Sequence, residues 1–460
     1  MPTTIDRRRF IWTTGAAGIA LSAAAVRSQT RQPAVAANSK LRVLSIGVVG
    51  TIGKVDRTQV SQHPAVEIAG LCDVDSNALE EAVREHPGAF TCRDYREAFA
   101  KHGDKFDAVI VSTPDHSHAP IMLTALANHK HVYGQKPLVH QLEELVMMEK
   151  ALAARPRLVT QVGNQRMATA GRRAAVEILR GGALGKAVEA HVWINSPNER
   201  DYFNQDRIIG APVPPPANLD WNLWLCACDD TPYRAGIAPV VWRSWWNYGS
   251  NALGDWGCHV LDVLFYAYAE LQSPMAVQTH CIQAPNPQFH SHPCQSTITY
   301  AVASAKFARK QFAIYFSDSA QASSRAALGL PPGKYPDTNM TVVVCEGGVL
   351  CLTAEGRLEI WRDGRMTSGL KMPGLPEFPR LNHWHAWVDN CLGKQTELRS
   401  PFKDAIRMTE AAQLAVKATR FPREELRWDK ATLSFTNHEE ATRTIVRRTY
   451  RAGFAPPPLT

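Results

Sequence analysis

Three side chains of kinds that move protons stand in two short phrases far apart in the chain. Asp255 and His259 are four residues apart in Gly254-Asp255-Trp256-Gly257-Cys258-His259, with Asp262 three residues further on. On a helix that spacing puts a carboxylate and an imidazole on one face, where the first can orient the second and tune its proton affinity. Lys136 stands in Gln135-Lys136-Pro137, just after the apolar run His131–Tyr133, and Pro137 restricts the backbone beside it. A different chemistry is written in glycines. Gly47, Gly50 and Gly53 close the apolar run that starts at Leu41. Glycines let the backbone approach a phosphate, and the helix that follows offers it free N–H groups and a positive dipole end. Asp73 ends the next apolar run, Val66–Cys72, where a carboxylate can accept from both hydroxyls of a ribose. The same carboxylate repels a 2′-phosphate, and Val74–Ala78 contains no arginine, so NAD is favoured over NADP. The spacing is G-x-x-G-x-x-G, with Val49 where the usual dinucleotide turn has a glycine.

The elements that must position these residues alternate. Strand-like runs at Leu41–Val49, Val66–Cys72, Phe106–Ser112, His131–Tyr133 and Leu158–Gly163 are separated by helical stretches. That pattern predicts a doubly wound parallel sheet of Rossmann type, an α/β architecture whose ligands sit at the carboxyl ends of the strands. Beyond it the alternation changes to period two, at Ala187–Ile194, Gln295–Ala301, Gln311–Tyr315, Thr341–Val344 and Leu358–Trp361. These runs predict a C-terminal α+β domain on an open, mostly antiparallel sheet, with helices over Leu381–Cys391 and Pro401–Thr419. The expected boundaries are a leader at 1–25, a linker at 26–40, a nucleotide-binding domain at 41–163 and a second domain at 164–460.

Composition removes several other classes. The chain has 460 residues, 45% of them apolar and 20% charged, an ordinary globular mixture that excludes a disordered chain, a collagen or a coiled coil. Downstream of the N-terminus no run of eighteen uncharged apolar residues occurs, so stable membrane insertion is not expected. The formal charge is +8, but residues 1–25 hold three arginines and one aspartate, a net of +2, which leaves +6. The remaining lysines and arginines are dispersed and form no nucleic-acid motif. Asp6-Arg7-Arg8-Arg9-Phe10-Ile11, followed by an apolar Gly/Ala-rich run and Ala23-Ala24-Ala25, resembles a twin-arginine export signal, so a periplasmic or otherwise exported protein is expected. The ten cysteines form no pair of C-x-x-C repeats, and most read as buried thiols. Histidines recur as H-x-H at 116/118, 129/131, 290/292 and 383/385, yet no convincing third ligand accompanies them, and no metal site is expected.

Three motifs together carry a resemblance. They are Thr113-Pro114-Asp115-His116-Ser117-His118, Gln135-Lys136-Pro137 and the phrase from Gly254 to His259 with Asp262. Over about Leu41 to Phe454 the chain resembles the Gfo/Idh/MocA family of NAD(P)-dependent sugar and inositol oxidoreductases. Leu219-Asp220-Trp221-Asn222-Leu223-Trp224 and Trp242-Arg243-Ser244-Trp245-Trp246 look like a secreted bacterial subgroup. The resemblance implies a homo-oligomer assembled through the face of the second sheet. It places Lys136 beside the nicotinamide and the substrate oxygen, and makes His259 the general base. Lys136 would then share the proton or polarise the oxygen, and Asp255 would position substrate hydroxyls or the imidazole. Thr113, Pro114 and His116 would line the cofactor pocket. The family usually has Glu before Lys-Pro, and Gln135 departs from that.

Six tryptophans, Trp221, Trp224, Trp242, Trp245, Trp246 and Trp256, fall within 36 residues. Aromatic faces stack on sugar rings, but packing accounts for most such clusters; Trp245, Arg243 and Tyr248 are the candidate substrate ligands. The leading reading is an exported NAD-dependent oxidoreductase acting on a sugar or cyclitol, with the cofactor tightly held and recycled. The same residues also serve an NAD-dependent glycoside hydrolase working by oxidation, elimination and reduction. A non-catalytic NAD-binding protein is the third reading, against which the intact Lys136, Asp255 and His259 argue.

Overall fold

In the first half, short apolar strands alternate with helices. The computed structural model describes residues 40–194, 210–291, 293–318, 324–333, 335 and 338–458. The expected leader and most of the linker lie outside the described residues. Strands β1 (Leu41–Ile46), β2 (Val66–Cys72), β3 (Phe90–Cys92), β4 (Ala108–Val111), β5 (His131–Gly134) and β6 (Thr160–Val162) form one parallel sheet in the order β3-β2-β1-β4-β5-β6. The order reverses between β1 and β4, so the carboxyl ends of those two strands open a crevice. Helix α1 (Gly53–Ser61) follows β1, and α2 (Ser76–Glu85) follows β2, capped by the Asp75 carboxylate on the N–H groups of Asn77 and Ala78. Helices α3 (Tyr95–His102), α4 (Asp115–Ala127) and α5 (Leu142–Ala154) complete the winding.

The second sheet has ten strands. It comprises β7 (Ala187–Trp193), β8 (Ala276–Cys281), β9 (Cys294–Ala301), β10 (Gln311–Ser317), β11 (Met340–Cys345), β12 (Gly348–Thr353), β13 (Leu358–Arg362), β14 (Arg365–Ser368), β15 (Glu425–Asp429) and β16 (Ser434–Phe435). Their order is β14-β13-β12-β11-β7-β10-β9-β8-β15-β16, antiparallel throughout except where β7 meets β10. The two-sheet α/β plus α+β architecture is the one expected, although β3, β8, β12 and β14 to β16 were not among the expected strands. Phe312, Ile314 and Phe316 on β10 point into the core. Of the helices after β6, which are α6 (Ala170–Arg180), α7 (Trp221–Leu225), α8 (Asn251–Ala267), α9 (His383–Cys391), α10 (Phe402–Ala418) and α11 (Glu439–Ile445), all share that core except α7, which joins an aromatic cluster, and α9, which packs with the first sheet.

Two features position the site. Helix α8 is buried along nearly its whole length and lies close against α10: a Cβ added at Gly257 would stand 3.2 Å from the Ala412 Cβ. The segment after α11 runs back across the molecule. Arg448 Nη1 donates to the His116 carbonyl at 2.9 Å, Arg451 donates to Asn222 and to the Cys226 carbonyl, and Arg96 donates to the Gly453 carbonyl at 2.8 Å. Cys281 and Cys294, directly opposite on β8 and β9, form a disulfide, and the other eight cysteines are buried thiols.

Candidate functional site

A cleft of about 500 Å³ opens at the carboxyl ends of β1, β2, β4 and β5, and its far wall comes from α8 and the tryptophan-rich segment. Its first half is a phosphate cradle. Gly47 adopts φ +79°, and a Cβ there would lie 2.6 Å from the Ser112 carbonyl oxygen. Gly50, at φ +74°, has nothing within 4 Å of where its Cβ would be, so the turn presents bare backbone. Helix α1 has Ile52 at its N-cap and no capping side chain, which leaves its first N–H groups for a ligand. Gly53 takes a different part from the one expected: it lies under the turn, where a Cβ would meet the Gly47 oxygen at 2.3 Å, and it is not on the cleft wall.

Asp73 lines the cleft at the end of β2. Its Oδ2 accepts from the Val48 N–H at 2.9 Å and its Oδ1 from the Asp75 N–H at 3.0 Å. Burial pushes this carboxyl up to about 6, against the N–H groups that hold the charged form. Arg93, outside the stretch the sequence argument inspected, lines the same end. Its Nη2 is committed to the carbonyls of Val74 and Asn218, at 2.7 and 3.0 Å. The bare turn, the uncapped helix start and the carboxylate together fit a dinucleotide, with Thr113 and Pro114 lining the wall towards the second half.

That second half is a charge cluster. Lys136 Nζ donates to Asp255 Oδ1 at 2.8 Å and to the Asp255 carbonyl at 2.9 Å, and Arg243 Nε stands 3.6 Å from the same Oδ1. Burial alone would raise the Asp255 carboxyl, but Lys136 and then Arg243 outweigh it and hold the group below its ordinary value. Burial likewise opposes the Lys136 charge, and the Asp255 carboxylate overcomes it, so the ammonium is held above the usual lysine value. Lys136 thus stands in the cleft as a hydrogen-bond donor and a point charge held on Asp255.

His259 is not oriented by Asp255, which corrects the expectation from their spacing: the carboxylate is taken up by Lys136 and Arg243. His259 Nδ1 instead faces Asn164 Oδ1 at 2.9 Å. The amide is fixed by its other end, where Asn164 Nδ2 donates to the Cys258 carbonyl at 3.1 Å and to Asp262 Oδ2 at 3.2 Å. Asp262 is in turn paired with the fully buried Arg172, which also donates to the His259 carbonyl at 2.6 Å. Since an amide oxygen only accepts, Nδ1 carries the hydrogen and Nε2 keeps its lone pair. Burial, then the Lys136, Arg166 and Arg172 charges, push His259 well below the ordinary histidine value. The imidazole lining the cleft is a neutral acceptor.

Other expected site residues lie elsewhere. His116 is fully buried away from the cleft: Nε2 faces the Trp224 carbonyl at 2.8 Å and Nδ1 the Tyr248 carbonyl at 3.3 Å, and burial pushes the ring down to about 3. It ties α4 to the aromatic segment and does not line the cofactor pocket. Trp245 and Tyr248 are likewise packed inside a cluster with Trp221, Trp224, Tyr233, Trp242 and Phe289, because their large apolar surfaces find one another before they find the cleft. Of the three candidate substrate ligands only Arg243 lines the cleft, together with Trp224, Trp242 and Trp256.

Sequence reasoning missed Asn164, Arg172 and Arg166, and also the carboxyl of Asp115. Asp115 lines the cleft with a buried Oδ2 that has no hydrogen-bond partner. Burial and then the Asp255 charge push it up to about 7, against Arg243 and Lys136. Gln135 Nε2 donates to Asp56 Oδ2 at 2.7 Å, and Asp56 also accepts from Ser112 and from Trp384. A buried carboxylate thus stands next to the position where the family has one. Among the described residues no group of three His, Cys, Asp or Glu side chains is placed to hold a metal, and no helix is long and apolar enough to cross a membrane.

Comparison with known proteins agrees with this geometry. Residues 41–163 match the NAD-binding Rossmann-fold model of the Gfo/Idh/MocA oxidoreductase family, and residues 174–304 match that family's C-terminal alpha/beta domain. An inositol 2-dehydrogenase of Pseudarthrobacter chlorophenolicus is 31% identical over 175 residues, 38% of this chain and 51% of that protein. A glycosyl hydrolase family 109 protein of Shewanella putrefaciens is 28% identical over 164 residues, 30% of this chain and 35% of that protein. The chain thus spans about half, or less, of the length of these relatives. Among solved structures, an inositol dehydrogenase homolog of Azotobacter vinelandii, complexed with NADH and myo-inositol, superposes with a TM-score of 0.57 at 16% identity, covering 85% of this chain and 98% of that one. Two family models that together match more than half of the sequence, and a cradle and charge cluster where those models meet, assign the chain to the NAD-binding Gfo/Idh/MocA family of oxidoreductases.

Proposed function

We propose that the protein is an exported oxidoreductase that takes a hydride from a hydroxyl-bearing carbon of a sugar or cyclitol, with NAD held tightly in the cleft. The observation that carries this reading is the pairing of a charged Lys136, neutralised by Asp255, with a neutral His259 whose tautomer Asn164 sets. NAD, when bound, supplies the hydride acceptor. A sugar hydroxyl is a weak acid, so its proton must leave as the hydride does, and His259 Nε2 is the group able to take it. Lys136 donates to the reacting oxygen and stabilises the charge that develops there. Asp255 keeps the ammonium charged and placed. Gly47, Gly50, Asp73, Thr113 and Pro114 hold the nucleotide. The Cys281–Cys294 disulfide is consistent with an oxidising compartment, which supports export beside the twin-arginine phrase. Membership of a family whose second sheet usually carries the oligomer interface supports a homo-oligomer.

Likeness to the Shewanella protein keeps an oxidation–elimination–reduction glycosidase as the second reading. The test uses purified full-length protein. Bound nucleotide is released and quantified, and the loaded protein is then given myo-inositol, aldoses with a keto-sugar acceptor, and aryl glycosides. Product sugar or change at 340 nm supports the oxidoreductase, whereas aglycone release without net NADH supports the glycosidase. Protein that purifies empty and stays inactive with added NAD overturns both.

A further inference from the structure

The catalytic half of the cleft holds more positive charge than the reaction requires. Among the described residues lining it, Lys136, Arg243 and Arg166 face one full carboxylate, Asp255, and the Asp115 carboxyl, which burial keeps partly protonated near neutral pH. Lys136 and Arg243 are both turned on Asp255. Arg166 is not. Its guanidinium lies 5.0 Å from the centre of the Trp256 ring, and that ring in turn meets His259 edge-on at 5.3 Å. A cation–π contact of this kind places a guanidinium without using up its N–H groups. Arg166 Nη1 is buried without a hydrogen-bond partner, and the carboxylate nearest to it, Glu355, stands 3.6 Å off and is 64% exposed. An ion pair that open to water contributes little and is easily exchanged. That guanidinium lines the cleft beside the general base with 27% of its side chain exposed, where an oxyanion on the substrate would meet it.

We propose that the substrate is an acidic sugar or polyol, and that Arg166 binds its oxyanion while the reacting carbinol lies between Lys136 and His259. This rests on the oxidoreductase reading and narrows it from hydroxylated rings in general to those bearing a carboxylate or a phosphate. Both anions share the chemistry that a guanidinium edge recognises, two acceptor oxygens at fork spacing. Neutral sugars would leave Arg166 facing Glu355 and gain nothing from it.

The experiment compares glucuronate, glucose 6-phosphate and glucose on NAD-loaded full-length protein. Bound-NAD reduction is followed at 340 nm and ligand binding by calorimetry, in the wild type, Arg166→Gln and Arg166→Lys. The expected result is a preference of about tenfold or more for at least one acidic sugar over glucose, as for hydrogen bonds to charged groups. Arg166→Gln removes that preference, and Arg166→Lys keeps part of it. Glucuronate ahead of glucose 6-phosphate assigns a carboxylate, and the reverse assigns a phosphate. Equal binding of all three compounds, or an Arg166→Gln loss that is the same for acidic and neutral sugars, overturns the proposal. Melting temperatures of the two variants separate lost recognition from lost folding, and Arg166→Lys gives the answer if Arg166→Gln does not fold. Protein that holds no NAD fails the oxidoreductase reading itself, a different outcome from NAD-loaded protein that ignores the anion.

Discussion

The two halves of the cleft are built on different plans. On the cofactor side the working parts are main-chain N–H groups and glycines, and they come from neighbouring residues: Gly47 to Gly53 and Asp73 at the ends of adjacent strands. On the catalytic side the working parts are side chains gathered from afar. Lys136 reaches Asp255 across 119 residues, His259 meets Asn164 across 95, and Arg172 meets Asp262 across 90. One side offers a preset surface to a ligand that does not change charge along its phosphates. The other sets the protonation of two groups in opposite senses, Lys136 charged and His259 neutral, and this takes buried partners that a local motif does not supply.

The sharpest way to break this contrast is to remove the catalytic groups and leave the cradle. Lys136→Ala and His259→Ala are each expected to lower turnover by about a hundredfold to ten-thousandfold while bound NAD is retained. Turnover assays with nucleotide release on the same samples check both halves at once, and normal activity in either variant ends the assignment. The reverse change comes next. Gly47→Ala puts a Cβ at φ +79° and 2.6 Å from the Ser112 oxygen. It should cost roughly 1–3 kcal/mol of stability and empty the cleft of nucleotide. Denaturant unfolding and the ratio of absorbance at 260 to 280 nm read the two effects.

A smaller effect tests the Asn164 clamp. The low proton affinity of His259 keeps it an acceptor, so the wild-type rate should stay level from neutral into mildly acidic pH and fall only when the imidazole gains its proton. Asn164→Asp sets a carboxylate against Nδ1, which stabilises the protonated ring and moves the acid limb to higher pH, so the rate near pH 6 should drop by about tenfold. An unmoved limb would mean that Asn164 does not govern the base. The smallest effect on either half belongs to the disulfide. Replacing Cys281 and Cys294 by serine opens a loop of 13-residue separation and should cost about 3 kcal/mol with turnover and NAD content unchanged.

The same contrast explains what the sequence discloses. The Rossmann strands are visible because parallel strands buried on both faces read as continuous apolar runs, as Ala108–Val111 does. The glycine turn, Asp73 and Lys136 are visible because their spacing along the chain is their geometry. Asn164 gives no such signal: a polar residue after a short strand becomes a clamp only when α8 is laid beside it. The i,i+4 pairing of Asp255 and His259 is real as a shared helix face, yet Lys136 competes for the carboxylate and wins. His116, Trp245 and Tyr248 have the right types for ligands, and burial takes them inward. Strands β14 and β16 escape as edge segments of four and two residues, and β15 because its alternation runs over only the five residues Glu425–Asp429.

The segment from Arg448 to Gly453 joins α4 and α3 of the nucleotide side to the aromatic wall, over separations of 332 and 357 residues. That segment therefore reinforces a junction that His116 already makes between α4 and the carbonyls of Trp224 and Tyr248. A change at Arg448 or Arg451 would thus be felt in a cleft that neither residue lines.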